Sequence, residues 1–307
     1  MLKPRALRPG DRLAIVAPAS AFDRAEFDAG VAEVERLGFV PVYEESVFAR
    51  QGFVAGTPEV RAAAIRDAWH DPSIGGLIGV RGGYGSAQVL PLLDPADARR
   101  AAKPFIGYSD LTALLTFHAV SCQMVAFHGP MLAGRLGIGD AGYDRDSFER
   151  VLCRRAPAGE IGSDAIEAVR TGEAQGVLAG GTLTQLVASL GTPFAFDPPA
   201  GHVLFLDEVG ERPYRLDRML TQLRQSGLLA RASAVVVGEL PGCDEPNGGP
   251  SGRGVVADIL KDFPGPVLIG FPSGHTLGPA MTLPLGVQTR LVGGHRSRLV
   301  IVESAVQ

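Results

Sequence analysis

The first half of the chain alternates short apolar runs with longer stretches of helical periodicity, and this alternation limits the fold more than any other feature of the sequence. The short runs have the composition of buried strands, and they cover residues 13–17, 40–43, 76–80, 104–108 and 125–127. The longer stretches carry apolar residues at three- and four-residue spacing, as amphipathic helices do, and they cover residues 26–37, 58–69, 86–93, 110–121 and 144–152. Strands that alternate with helices form a parallel sheet covered by helices. We therefore predict a doubly wound α/β domain over residues 1–155.

The second half of the chain is punctuated differently, which indicates a second domain of another kind. Its apolar runs are separated by Gly- and Pro-rich loops, and a helical pattern persists at residues 183–190, 213–226 and 254–262. Between the halves, residues 156–176 are small, polar and acidic without a sustained period, which is typical of a linker. A chain of 307 residues, 46% of them hydrophobic, also exceeds the size at which one core usually stops growing. We predict a smaller, β-rich α+β domain over residues 177–307.

Charge and cysteine content argue against several classes of function. The net charge of -4 lacks the basic excess that is needed to bind nucleic-acid phosphates. Cys122, Cys153 and Cys243 are too scattered for a disulfide framework or a zinc motif, and the sequence has no HExxH motif. It also has neither a run of ~20 mostly apolar residues nor a typical export signal. We expect a protein of a reducing, cytoplasmic compartment that binds no metal, nucleic acid or membrane.

A serine lies at the junction between a predicted strand and a predicted helix. The strand ends just before Ser109, and the apolar face of the following helix begins at Leu111. Ligands of open α/β sheets bind outside the carboxyl ends of the strands, where free helix N–H groups favour negative charge. Ser109 therefore has the position of a hydrolase nucleophile, although Leu111 stands where the G-x-S-x-G motif has its last glycine. The alternative is an ordinary helix N-cap at Ser109 or Asp110.

A glycine-rich turn follows another predicted strand. Gly82, Gly83 and Gly85 stand between the strand of residues 76–80 and the helical stretch that begins at residue 86. Such a turn allows the backbone to approach a ligand closely, either as a phosphate cradle or as an N–H donor to an oxyanion. The segment fits neither G-x-G-x-x-G nor G-x-x-x-x-G-K-[ST]. A tight turn without a ligand is the alternative.

Two further segments carry groups suited to acid–base chemistry. Asp207 and Glu208 follow an apolar run, where a buried carboxylate is costly unless it is paired or solvated; solvated loop charges are the alternative. His275 lies in a Gly- and Pro-rich loop, the best setting for a mobile base among the six histidines. His118 shares an apolar helix face and is expected to be a core residue. His128 follows a strand, from which it is able to approach the site from the side.

Seven segments, taken in order along nearly the whole chain, resemble the LD-carboxypeptidases, also called murein tetrapeptide carboxypeptidases. These segments are RPGDRLAIVAPAS, VRGGYGS, GYSDLTAL, FHGPM, GGTLTQLVASLGTP, LFLDEVGERPYRLDRMLTQL and GHTLGPAMTLPLGV. The resemblance implies an N-terminal flavodoxin-like α/β domain and a smaller, β-rich C-terminal domain. It also implies a Ser-His-Glu triad assembled across the interface of the two domains.

Carried over by position, the resemblance makes Ser109 the nucleophile and His275 the base. At the position of the family's triad acid, which is usually a glutamate, this chain has Asp207 followed by Glu208. Adjacent strand residues point to opposite faces of a sheet, so only one of these two carboxylates is able to reach His275. We favour Asp207 as the acid, with Glu208 as the alternative.

The reaction that the resemblance implies is hydrolysis of the amide between an L-centre diamino acid and the terminal D-Ala of a murein tetrapeptide, in cytoplasmic cell-wall recycling. Backbone N–H groups of Asp110 and of the Gly82–Gly83 turn would hold the oxyanion, and Arg81 is the candidate for binding the substrate carboxylate. No cofactor is required, and the family suggests a homodimer.

One alternative is a self-immunity peptidase that cleaves a peptidyl-nucleotide antibiotic. The only tryptophan, Trp69, lies in a predicted helix, which argues against an aromatic loop that stacks on the nucleotide base. A non-catalytic module that binds an anionic ligand is the other.

Overall fold

The computed structural model describes residues 1–307, and its strands form two sheets. The strands are β1 (Arg12–Val16), β2 (Val40–Val42), β3 (Ile74–Gly79), β4 (Phe105–Gly107), β5 (Ala126–His128), β6 (Gly159–Ile161), β7 (Glu167–Arg170), β8 (Gly172–Thr182), β9 (His202–Asp207), β10 (Ala232–Gly238), β11 (Val267–Phe271), β12 (Leu283–Leu285), β13 (Gln288–Gly293) and β14 (Arg298–Ile301). The α-helices are α1 (Arg24–Arg36), α2 (Pro58–His70), α3 (Pro95–Ala101), α4 (Thr112–Thr116), α5 (Arg145–Leu152), α6 (Leu183–Ser189), α7 (Pro213–Gln225) and α8 (Gly252–Leu260). None of the helices combines the length and the hydropathy that are needed to cross a bilayer.

The first sheet has six strands in the order β12-β5-β4-β3-β1-β2. The strands from β1 to β5 are parallel, as predicted for a doubly wound domain in the N-terminal half. The edge strand β12 comes from the C-terminal half and pairs antiparallel with β5, with Leu283 opposite His128. The predicted boundary between the domains does not account for this crossing, because a three-residue apolar strand does not indicate which sheet it joins.

The second sheet has eight strands in the order β6-β14-β13-β8-β9-β10-β11-β7. Its four central strands, from β8 to β11, are parallel, and α6, α7 and α8 connect them. The other four strands pair antiparallel, so the predicted α+β domain has an α/β centre. The predicted linker at residues 156–176 contains β6, β7 and the start of β8. These strands escape the sequence pattern because most of their residues are polar and only partly buried.

Side chains of the central strands in the second sheet alternate between two hydrophobic layers. On β9, Val203 and Phe205 belong to the large buried cluster that also fills the first sheet. Leu204 and Leu206 belong to the cluster formed with α6, α7 and α8. This period of two is that of a strand buried on both faces. The two sheets therefore share the larger hydrophobic cluster. Asp207 and Glu208, which follow Leu206, continue the alternation of side chains between the two faces.

The close approach of β8 to β9 leaves no room for a side chain at Gly180. A Cβ atom there would lie 1.9 Å from the Phe205 carbonyl oxygen, and the backbone has φ of +146°. Replacing Gly180 with Ala is therefore expected to lower the free energy of unfolding by about 3 kcal/mol, as measured by urea unfolding. A Cβ atom at Gly294 would have no neighbouring atom within 4 Å. G294A is therefore the control, and it is expected to change the free energy of unfolding by less than ~0.5 kcal/mol. Equal stability of the two variants would contradict this account.

Three histidines, His118, His128 and His202, are fully buried. Burial lowers the pKa of each imidazole to about 4. His118 has the expected core position, since its Nδ1 lies 2.7 Å from the Leu114 carbonyl oxygen and its ring stacks on Phe105. The carbonyl oxygen is only an acceptor, so Nδ1 of His118 carries the proton of a neutral ring.

These buried imidazoles predict a loss of stability in mild acid. A histidine of the unfolded chain has a pKa of about 6.5, whereas these three have a pKa of about 4 in the folded protein. The unfolded state therefore binds protons first, and the free energy of unfolding falls as the pH drops from about 6.5 to about 4, by on the order of 3 kcal/mol per histidine.

Urea unfolding of the wild type, H118F and H295Q across this pH range measures the effect. His118 is buried and His295 is exposed. H118F is expected to lose less stability than the wild type in acid, and H295Q is expected to follow the wild type. A pH dependence of H118F identical to that of the wild type would be incompatible with this account.

Candidate active site

Ser109 stands at a sharp turn between β4 and α4. Tyr108 is extended, with φ of -154°, whereas Ser109 has φ of +61°. A left-handed backbone is unfavourable for a residue with a Cβ atom, and such strain is held mostly at functional sites. Ser109 is also partly exposed, between two buried neighbours. The turn thus presents a hydroxyl at the carboxyl end of β4, where the sequence predicts a nucleophile.

Two glycines explain why Leu111 is tolerated in place of the glycine of the hydrolase motif. A Cβ atom at Gly79 would lie 2.1 Å from Leu111 Cδ1, and one at Gly107 would lie 2.6 Å from it. Leu111 is fully buried in the space that these glycines leave. In the G-x-S-x-G motif, the last glycine keeps this space free of a side chain. Here Gly79 on β3 and Gly107 on β4 leave the space that the Leu111 side chain fills.

The glycine-rich turn lies against the Ser109 turn. A Cβ atom at Gly82 would lie 2.9 Å from Ser109 Oγ and 3.2 Å from the backbone nitrogen of Asp110. Ser86 fixes the two turns to each other, because its N–H donates to Asp110 Oδ2 at 2.8 Å and its hydroxyl donates to the Asp110 carbonyl at 2.5 Å. The structure therefore brings together Gly82 and the N–H of Asp110, two of the groups predicted to hold an oxyanion.

A buried arginine in α2 holds the surrounding loops. The guanidinium of Arg61 donates hydrogen bonds to the carbonyl oxygens of Pro18, Gly56 and Gly85 at 2.6–3.1 Å. Burial lowers the pKa of Arg61, and the Asp110 carboxylate opposes this effect. The sequence did not indicate this role, since an arginine in an amphipathic helix resembles a surface residue.

Asp207 and His275 form a close pair. His275 Nδ1 lies 2.7 Å from Asp207 Oδ2, and the backbone N–H of His275 donates to Asp207 Oδ1 at 3.1 Å. Asp207 is fully buried, and the hydroxyl of Thr182 donates to its Oδ2 at 3.3 Å. Because an ionised carboxylate only accepts, Nδ1 of His275 carries the proton, and Nε2 is the basic nitrogen of the neutral ring.

Glu208 lies on the opposite face, as the alternation of β9 requires. Its Oε2 accepts hydrogen bonds from the N–H and the hydroxyl of Thr184 at 2.8 and 2.6 Å, and its Oε1 accepts one from the N–H of Val209 at 3.1 Å. Burial raises the pKa of the Glu208 carboxyl, although these hydrogen bonds act in the other direction. Glu208 therefore fixes the start of α6, while Asp207 faces His275.

Contacts between the two sheets bring the histidine and the serine turn to one junction. The ring of Tyr108, the residue before Ser109, packs edge-on against His275 with centroids 5.0 Å apart. A second contact joins the start of α4 to the end of β8, where the N–H of Thr182 donates to Thr112 Oγ1 at 3.1 Å. The nucleophile candidate and the acid–base pair therefore lie at the same interface.

His128 lies behind the acid rather than in the position of a base. Ser273 Oγ donates its proton to the Met281 carbonyl at 2.8 Å, so His128 Nδ1 is the donor in its 3.1 Å contact with Ser273. His128 Nε2 is 3.9 Å from Asp207 Oδ2 and has no hydrogen-bond partner. With its pKa lowered to about 4, the ring is neutral near pH 7 and leaves the Asp207 carboxylate to His275.

The remaining candidate residues, Arg81 and Gly83, flank Gly82 in the glycine-rich turn. Arg81 is exposed beside the glycine-rich turn. Gly83 has φ of +93°, and a Cβ atom there would lie 2.5 Å from Ser20 Oγ, so the turn needs glycine at this position. The structure has no group of three or more His, Cys, Asp or Glu side chains that is arranged to hold a metal ion.

Comparisons with known proteins give a consistent result. The model of the LD-carboxypeptidase N-terminal domain matches residues 13–129, and the model of the C-terminal domain matches residues 175–291. A putative carboxypeptidase of Streptomyces coelicolor is 37% identical over 95% of this chain and 93% of its own length. The murein tetrapeptide carboxypeptidase of Pseudomonas aeruginosa is 31% identical over 86% of this chain and 88% of its own length.

The fold has close counterparts among solved structures. The structure of MccF in complex with glutamyl sulfamoyl guanosine aligns over 100% of both chains with a TM-score of 0.91 and 22% sequence identity; this likeness concerns the fold. The predicted fold class, with parallel strands in two domains, is confirmed, and so is the resemblance stated from the sequence motifs. The chain belongs to the LD-carboxypeptidase family of peptidases.

Proposed function

We propose that this protein is a serine-type LD-carboxypeptidase that releases the terminal D-Ala from murein tetrapeptides. The observation that carries the proposal is the 2.7 Å contact between Asp207 Oδ2 and His275 Nδ1, in a ring that packs against Tyr108. A histidine whose tautomer is set by a buried carboxylate, next to a strained serine, is the arrangement of a serine hydrolase. The family membership supports a peptide substrate.

In the proposed mechanism, His275 Nε2 removes the proton of Ser109 Oγ, which attacks the carbonyl carbon of the L-centre diamino acid. The resulting imidazolium donates this proton to the amide nitrogen of D-Ala, which leaves as the free amino acid. Water then gives a proton to the same nitrogen and attacks the acyl carbon. As the bond between this carbon and Ser109 Oγ breaks, the imidazolium returns the proton to Oγ, and the shortened peptide leaves with a new carboxylate. Asp207 holds the tautomer of His275 and stabilises its charged form.

The backbone around Ser109 is proposed to stabilise the oxyanion. The N–H of Asp110 and an N–H of the Gly82–Gly83 turn are the donors, and each such donor typically contributes ~10²–10³ in rate. This assignment is supported by the close approach of Gly82 to Ser109. Arg81, exposed beside the same turn, is proposed to bind the terminal carboxylate, because an arginine pairs with a carboxylate in a planar, bidentate geometry.

Mass spectrometry of a muropeptide mixture tests the proposal. Incubation with the purified protein is expected to convert tetrapeptides into tripeptides with the loss of one alanine, for either diaminopimelate or lysine in the third position. Pentapeptides serve as internal controls, since their terminal bond joins two D-centres and is expected to persist. An unchanged mixture would reject murein tetrapeptides as the substrate.

A self-immunity peptidase that acts on a peptidyl nucleotide is the second candidate, because the fold matches that of MccF bound to glutamyl sulfamoyl guanosine. The only tryptophan, Trp69, is 3% exposed in α2 and is not available to stack on a base. Incubation with an aminoacyl sulfamoyl nucleoside separates the two candidates. Faster cleavage of this compound than of the tetrapeptide would favour the second.

A cytoplasmic role in cell-wall recycling and a homodimeric state complete the proposal. Light scattering measures the mass of the assembly, for which a dimer of the 32.1 kDa chain is expected.

A non-catalytic binding module is the third candidate. Such a module would leave Ser109 unlabelled by a serine-directed fluorophosphonate.

A further inference from the structure

The loop that carries His275 is buried at its base and at Thr276, and it reaches the surface at its tip. Its two ends are joined where the N–H of Met281 donates to the Pro272 carbonyl oxygen at 2.7 Å. Beyond this closure the loop reaches the surface, and Leu277 is 86% exposed. Hydrophobic packing of Leu277 therefore does not hold the tip of the loop, although a general base must be held accurately with respect to its nucleophile.

Arg135, in the turn between β5 and α5, contacts one side of this loop. Its Nη1 donates to the Gly278 carbonyl at 2.9 Å, and its Nη2 donates to the carbonyls of Gly274 and Thr276 at 3.1 and 2.6 Å. A further contact of Nη1, with the Gly142 carbonyl at 3.3 Å, joins the same guanidinium to its own part of the chain. One side chain thus accounts for alternate carbonyl groups along the loop.

Two carboxylates contact the other side. The N–H of His275 donates to Asp207 Oδ1 at 3.1 Å, and the N–H of Leu277 donates to Glu239 Oε2 at 2.8 Å. Asp207 is the last residue of β9, and Glu239 directly follows β10, the neighbouring parallel strand. The two carboxylates therefore lie at the same edge of the sheet. The loop backbone therefore runs between a cation that binds its carbonyls and anions that bind its N–H groups.

The turn that carries Arg135 is itself well anchored. The N–H of Ala133 donates to the Val80 carbonyl at 2.9 Å, at the end of β3. A Cβ atom at Gly30 would lie 2.4 Å from the Leu132 carbonyl oxygen, so α1 packs directly on the turn. Arg135 also lies near Tyr108. Burial raises the pKa of the Tyr108 hydroxyl, and the positive charge of Arg135 lowers it. The guanidinium therefore connects the serine side of the site to the histidine loop.

We infer that Arg135 and Glu239 are positioning residues that hold His275 in register with Ser109. They act through backbone groups on either side of the histidine, not through contact with the substrate. Because the four terminal N–H groups of Arg135 are matched by four carbonyl oxygens, this arginine is occupied and is not a binding group for the substrate carboxylate. The inference rests on the proposed function, since it assigns a purpose to the geometry of His275.

The test compares R135K, E239A and E239Q with the wild type. Lysine keeps the charge of Arg135 but has a single ammonium group with three donors, which does not reproduce the planar fork of a guanidinium. A misplacement near 1 Å is able to reduce a rate by about 10²-fold, so R135K is expected to lower kcat by roughly 10–100-fold with KM within about twofold. E239A is expected to lower kcat by about tenfold, whereas E239Q keeps an accepting oxygen for Leu277 and should retain most of the activity.

R99K is the matched control. Arg99 also donates through Nη1 to a backbone carbonyl, that of Cys122 at 2.6 Å, but it lies in α3 and does not contact the histidine loop. R99K is expected to keep the wild-type kcat. Methylguanidinium in the millimolar range should partly restore kcat in R135A without raising its melting temperature, which a merely structural role would not produce.

The rate at which a fluorophosphonate labels Ser109 separates this inference from the choice of substrate. Labelling depends on His275 as base but not on the natural peptide, so R135K and E239A are expected to label more slowly than the wild type and R99K. If the wild type labels but releases no alanine, the substrate is wrong and the labelling rates still decide the inference. Equal labelling of R135K, E239A and the wild type would overturn it, and so would an equal loss in R99K.

Discussion

Replacing Ser109 with Ala is expected to reduce the release of D-Ala by about 10⁶-fold, which is the scale seen when a serine hydrolase loses its nucleophile. The physical reason is that the acyl-enzyme has no other atom to form on. The folded structure should be unaffected, because alanine and serine are equally strained at φ of +61°. Rate assays on a purified muropeptide, together with thermal unfolding, measure both quantities.

The control for this variant is S46A, since Ser46 is exposed and takes part in none of the contacts described for the site. S46A is expected to release D-Ala at the wild-type rate and to be labelled by the fluorophosphonate. S109A should remain unlabelled. Release of D-Ala by S109A at the wild-type rate would remove Ser109 from the mechanism.

Replacing Asp207 with Asn is expected to reduce kcat by about 10⁴-fold. Both carboxylate oxygens of Asp207 accept hydrogen bonds from His275, one from Nδ1 and one from the backbone N–H. Asparagine offers only one accepting oxygen, so its amide N–H₂ must face one of these donors. The imidazole then favours the tautomer with the proton on Nε2, which is unable to accept the proton of Ser109.

E208Q is the matched control for D207N, because it makes the same chemical change one residue further on. Glutamine keeps one oxygen that accepts from Thr184 and loses the acceptor for the Val209 N–H, but neither group contacts His275, since Glu208 points away from Asp207. E208Q is therefore expected to keep kcat within about threefold of the wild type. A larger loss in E208Q than in D207N would reverse the assignment of the acid.

Local sequence patterns were sufficient to predict the five parallel strands of the first sheet and the turns around them. The apolar runs at residues 13–17, 104–108 and 125–127 correspond to β1, β4 and β5 within a few residues. Ser109 was identifiable because a strand pattern ends and a helix pattern begins at the same place. The period of two in β9 was enough to predict that Asp207 and Glu208 face opposite ways, and the structure has them so.

Long-range contacts were not predictable from such patterns. Arg135 contacts a loop about 140 residues away, as the separations of its partners show, and nothing in the surrounding residues distinguishes it from a surface arginine. The same is true of Arg61, which lies in an amphipathic helix. The strands within residues 156–176 were missed because edge strands with polar side chains carry little hydrophobic periodicity. These features depend on tertiary contacts between segments whose local composition is unremarkable.

The pairing of β12 with β5 has a consequence for how the molecule is made. The polypeptide must be synthesised almost to its end before the first sheet acquires its last strand. A fragment that stops at residue 155 would therefore leave one edge of β5 unpaired, while the other edge remains paired with β4. An open strand border beside an apolar surface invites pairing with other chains. A fragment that stops at residue 155 is therefore expected to self-associate through this exposed edge.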